Sequence, residues 1–81
     1  MPTVLVTGAN RGLGLEFARQ YAADGWQVFA ACRAPNAAKE LQQIAAESGG
    51  HVHVLEIDVT DAASVRAAAA GLKGEAIDLL L

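Results

Sequence analysis

The chain has 81 residues, 53% of them hydrophobic, and a formal net charge of −3, which fits one small domain or a piece of one. An acidic balance with scattered basic residues excludes the basic stripe that a nucleic-acid surface needs, and no apolar run approaches the roughly 18 residues of a membrane span. A single cysteine, Cys32, rules out an internal disulfide and fits a reducing compartment; without a basic-then-apolar leader at the N-terminus, a cytoplasmic location is the expectation.

In chain order, TVLVT (3–7) is a short β-branched run without polar alternation, as expected of a strand buried on both faces. At Leu13 the period changes. Leu13, Phe17 and Tyr21 recur every four positions, as do Gly14, Ala18 and Ala22, predicting a helix with one buried stripe opposed by Glu16, Arg19, Gln20 and Asp24. Gly25 stops it. WQVFAAC (26–32) reads as a second strand. After Pro35, Asn36 is expected to cap a helix that runs to about Ser48 and buries Leu41, Ile44 and Ala45. HVHVLEID (51–58) reads as a third strand, and Thr60 or Asp61 as the cap of an alanine-rich helix to about Ala70. Gly71 and Gly74 then break the chain before AIDLLL (76–81), a fourth strand. Strands alternating with helices indicate a parallel sheet in an α/β fold. Right-handed crossovers make the expected strand order 3-2-1-4, half of a doubly wound sheet.

The stretch VLVTGANRGLG places three glycines where the first strand passes into the first helix. Unpaired N–H groups at a helix N-terminus favour an anion, and a diphosphate reaches them only where no Cβ intervenes. Gly8 would make the turn, Gly12 would admit the phosphates, and Gly14 would let the helix pack on the strand. Three coincidental turn glycines are the plain alternative; their position after a buried strand and at the first turn of a helix favours the cradle.

TGANRGLG has the T-G-x-x-x-G-x-G form and resembles the short-chain dehydrogenase/reductase family, closest to its NADP-dependent carbonyl-reductase-like members. ACR, IDVTD and IDLLL resemble the family's second-strand end, its third-strand exit and the strand leading to its N-N-A-G segment, so the likeness runs through the whole chain. The resemblance implies the NAD(P)-binding half of a Rossmann domain over residues 1–81, truncated after the fourth strand. Backbone groups of Gly8, Asn10, Arg11 and Leu13 would line the diphosphate, with Gly12 and Gly14 required sterically. Asp58 would accept from the adenine amino group and Val59 would lie against the ring. The plain role for Asp58 is to bond nearby backbone N–H groups at a strand end.

Folds that prefer NAD place an acid at the end of the second strand for the ribose 2′-hydroxyl. By the family alignment that position is Cys32, followed by Arg33, with Arg11 in the loop opposite. Two guanidiniums suit a 2′-phosphate, so NADP is the expected cofactor and NAD the less favoured one; a solvated surface arginine is the plain role for Arg33. The family's catalytic serine and Tyr-x-x-x-Lys pair have no counterpart here. Tyr21 is followed four residues on by Gly25, and neither Lys39 nor Lys73 has a tyrosine four residues before it, so no catalytic residue is assigned and the 81-residue chain is expected to be inactive by itself. His51 and His53 lack a further ligand at metal spacing, and no metal site is read.

The expected function is the cofactor-binding part of an NADP(H)-dependent oxidoreductase that moves hydride between nicotinamide and a carbonyl or alcohol. A non-catalytic nucleotide-binding or regulatory module on the same half-fold is the alternative. A methyltransferase-type site is disfavoured, because it needs an acid where Cys32 and Arg33 stand. With IDLLL as an apolar edge strand and one helix for a whole sheet face, the chain is expected to associate with itself or with a missing C-terminal segment.

Overall fold

The computed structural model describes residues 2–58, 60–72 and 77–81. Its elements are β1 (Thr3–Val6), α1 (Gly12–Ala23), β2 (Gln27–Cys32), a 3-10 turn (Pro35–Ala37), α2 (Lys39–Glu47), β3 (Val52–Glu56), α3 (Ala62–Gly71) and β4 (Leu79–Leu80). The four strands form one parallel sheet in the order β3-β2-β1-β4, as the crossover rule requires. No helix among the described residues is long and apolar enough to cross a membrane.

The register puts Val4 opposite both Val28 and Leu79, and Val28 opposite Val52. Because side chains alternate across a strand, Val4, Val6, Val28, Ala30, Cys32 and Val52 share one face, where Leu15 and Ala18 of α1 and Leu41 of α2 close over them. Burying a Val or Leu side chain contributes about 1.5–3 kcal/mol, so this face supplies most of the cohesion. On the opposite face Thr3, Phe29 and Ala31 are buried. There α3 meets β3 beside Leu55 across a groove floored by small residues such as Ala63 and Ala67, and α3 has no buried residue of its own. β4 is an edge strand. It is held to β1 by a reciprocal pair, Asp78 N–H to the Thr3 carbonyl at 2.9 Å and Thr3 N–H to Asp78 Oδ2 at 2.8 Å. Leu80 stands 65% exposed on it.

Two local expectations are corrected, and one choice between two caps is decided. Leu13 is not on the buried stripe of α1: it lies in the first turn, at the carboxyl edge of the sheet, and is 70% exposed, while Leu15 is buried. Asn36 caps nothing; it sits inside the 3-10 turn, whose Pro35 starts it, and α2 begins only after Ala38, without a side-chain cap. Of the two candidate caps for α3, Asp61 is the one used, accepting the Ala63 N–H at 3.0 Å. Residue 76 of the expected fourth strand lies outside the described residues, and the strand proper is Leu79–Leu80.

Candidate functional site

At the carboxyl edge of the sheet β1 runs into a five-residue loop and then α1. Gly8 has φ +61° and Gly12 φ +59°, left-handed values that cost a residue with a Cβ roughly 1–2 kcal/mol. Apart from its chain neighbours, a Cβ on either would meet no atom of the described residues within 4 Å, so the space beside both is open among them. Gly14 differs. A Cβ there would run into the Gly8 carbonyl oxygen and come within 2.9 Å of that carbonyl carbon and 3.2 Å of Ala9 Cα. The third glycine therefore presses the helix against the turn. Ala9 fastens the loop to the next strand: it is fully buried, and its N–H donates to the Ala31 carbonyl at 2.9 Å.

Arg11 occupies the N-cap of α1 in extended conformation, with no side-chain cap bond and no acidic residue in the first turn. The positive end of this helix is thus neither capped nor neutralised by its own side chains. It borders a cleft of about 580 Å³. It is lined by Thr7, Gly8, Asn10, Arg11 and Gly12 from the turn after β1, by Ala31, Cys32, Arg33 and Ala34 from the end of β2 and the residues after it, and by Ile57 just past β3. Five of the residues singled out from the sequence, Gly8, Asn10, Arg11, Gly12 and Arg33, therefore meet in one place. Gly14 lies beneath the turn rather than on the wall, Leu13 is exposed in the first turn of α1, and Asp58 follows directly after Ile57. Val59 lies outside the described residues. Thr7, Ala31, Ala34 and Ile57 were not singled out. Their signal was position alone, because the ends of parallel strands furnish the crevice at a sheet's carboxyl edge.

The electrostatics are local. Burial pushes the Cys32 thiol above its ordinary range, a backbone hydrogen bond at Ala34 opposes this, and the charge of Glu56 adds to it. A thiol 3% exposed and pushed in that direction is a small apolar wall element. Asp58 goes the other way: bonds from the Thr60 hydroxyl and N–H lower it, against some desolvation, with the positive charge of Arg33 helping. Arg33 thus has a carboxylate in its field that reading the strands one by one did not place there. Tyr21 packs in the aromatic row Phe17, Tyr21 and Trp26, with ring centroids 6.5 and 4.8 Å apart. The His51 ring lies against the Trp26 carbonyl and His53 stacks on Phe29; among the described residues no three His, Cys, Asp or Glu side chains gather as a metal site.

A parallel sheet in this order, entered at its carboxyl edge by a glycine turn that opens a helix, is a Rossmann-like α/β fold. The profile of the short chain dehydrogenase family matches residues 2–81, and the chain belongs to that family. It is 41% identical over 85 residues to a short-chain dehydrogenase/reductase of Arthrinium sp, covering 100% of this chain and 31% of that one. It is 36% identical over 70 residues to a serine 3-dehydrogenase of Rhizobium radiobacter, covering 86% and 27%. Among solved structures, a carbonyl reductase from Pseudomonas aeruginosa PAO1 in complex with NADP superposes with TM-score 0.93 at 32% identity, over 99% of this chain and 36% of that one. The chain spans less than a third of the length of the curated relatives it matches.

Proposed function

We propose that the chain is the NADP(H)-binding part of an oxidoreductase acting between a carbonyl and an alcohol, with the dinucleotide in the cleft at the carboxyl edge. The observation that carries this reading is the uncapped start of α1 behind two Cβ-free, left-handed glycines, with Arg11 and Arg33 both lining one cleft. The residues present fit the group: open backbone for a pyrophosphate and two guanidiniums for a 2′-phosphate.

In this reading the N–H groups around Gly8, Asn10, Arg11 and Leu13 receive the pyrophosphate. Gly12 keeps the approach clear and Gly14 keeps the helix close enough to present its N-terminus. Arg33 and Arg11 hold the 2′-phosphate, while Cys32, too poor an acceptor for a ribose hydroxyl, puts no carboxylate of its own at the end of β2. Asp58 accepts from the adenine amino group and Val59 rests on the ring. Bound nicotinamide would supply or accept the hydride. Such a site suits the cytoplasm, where a free buried thiol stays reduced.

Titrating the 81-residue chain with NADPH and with NADH tests the reading. One charge-assisted bond to the 2′-phosphate is worth about 1.5–3 kcal/mol, so NADPH is expected to bind about tenfold to a hundredfold more tightly. Equal affinity would defeat the cofactor assignment. We also propose that the open edge at β4, with Leu80 exposed on it, pairs with a strand from a second copy or from further chain. Sedimentation of the 81-residue chain at high concentration is expected to show association, and a clean monomer would count against it.

A further inference from the structure

Asp58 is held at almost every polar atom by the segment that leads into α3. Its N–H donates to Ser64 Oγ at 2.8 Å, and its carbonyl accepts the Asp61 N–H at 2.9 Å. Its Oδ1 accepts twice from Thr60, from the N–H at 3.0 Å and from Oγ1 at 2.6 Å. Among the described residues, no bond is made to Oδ2. Asp58 also adjoins Ile57, a wall of the cleft, and lies in the field of Arg33, another wall. A carboxylate with both oxygens free rotates about its last bond and offers either one. Here that rotation is arrested, and one oxygen is left to accept a donor.

We infer that Thr60, with Ser64 anchoring the backbone, is a positioning residue for the cofactor's base: it locks the Asp58 carboxylate so that Oδ2 alone faces the adenine amino group. This rests on the proposed adenine contact of Asp58 and adds the device that orients it. The hydroxyl of Thr60 bonds to the ionised carboxylate, so it favours that form. The charged groups around Asp58 are Arg33, which acts in the same sense, Glu56, two residues before it at the end of β3, and Asp61, whose Oδ1 is taken by the Ala63 N–H. With the carboxyl held below its ordinary value, its stabilising contribution is complete above the unfolded pKa and is lost as pH falls through the lowered folded one.

Two readouts test the inference on the 81-residue chain. In the ligand-free chain, the Asp58 carboxyl carbon followed by NMR is expected to titrate at higher pH in Thr60→Val than in the parent, and Thr60→Ser should bring it back down. In binding, NADPH is compared with its hypoxanthine analogue, in which a carbonyl acceptor replaces the amino donor. The parent should prefer NADPH by about tenfold, the value of one modest charge-assisted hydrogen bond. Thr60→Val should lose most of that preference and Thr60→Ser should keep it. An unmoved titration with unchanged preference in Thr60→Val overturns the inference. If Asp58→Asn leaves the preference intact, the adenine contact itself is wrong; if Asp58→Asn abolishes it while Thr60→Val does not, only the positioning role fails.

Discussion

Gly14→Ala is expected to destabilise the fold by about 2 kcal/mol and to lower the melting temperature by about 8–16 °C, since each kcal/mol moves a domain of this size by roughly 4–8 °C. A Cβ at Gly14 meets backbone, the carbonyl of Gly8 and the Cα of Ala9, and backbone cannot swing aside as a side-chain tip can. Nor can the loop retreat, because buried Ala9 is bonded to Ala31. Overpacking of this kind costs about 1–3 kcal/mol or more, and alanine's better helix propensity returns about 1 kcal/mol at most. The clash wins. Gly71→Ala is the control: it sits in α3 with nothing among the described residues within 4 Å of the added Cβ and no left-handed φ, so it should be neutral or stabilise by up to about 1 kcal/mol. Urea unfolding of the two variants should separate them in sign. Parent-like stability in Gly14→Ala would mean that α1 does not rest on the turn.

Arg33→Asp should reverse the choice of cofactor while leaving stability within about 0.5 kcal/mol, as befits an exposed side chain. Losing the guanidinium removes about 1.5–3 kcal/mol of charge-assisted bonding to a 2′-phosphate, and the new carboxylate repels that phosphate. The same carboxylate, at the end of β2, is placed to hold a ribose 2′-hydroxyl. Together these should lower the ratio of NADPH to NADH affinity by about a hundredfold or more. Asp58 sharpens the expectation, because it loses its positive neighbour and gains a negative one. Titration of the variant with both cofactors measures the ratio, and an unchanged ratio would show that Arg33 is only a solvated surface arginine.

What could be read along the chain was whatever short-range rules control. Runs such as TVLVT and VFAAC declared strands because no polar residue interrupts them, and the alternation with helices left one strand order compatible with right-handed crossovers. The glycine turn was legible for the same reason: its function resides in backbone freedom, and the residue type states that freedom directly. Asn36 misled because a cap depends on where the backbone leaves the 3-10 turn, which Pro35 decides, and not on the asparagine's own preference. Leu13 misled because helical period says which residues share a face but not where the sheet beneath that face ends.

The amino-acid order alone determined the element sequence, the parallel sheet and the Cβ-free approach to the start of α1, since each follows from local sterics and hydrophobic period. Only the tertiary structure decided that Ala34 and Ile57 line the same cleft as Arg11 and Arg33. It also decided that Gly14 lies against Gly8, that burial pushes the Cys32 thiol up, and that Thr60 and Arg33 both act on Asp58. These are contacts between chain segments that meet only when the strands pair in register, and pairing is a property of the assembled sheet.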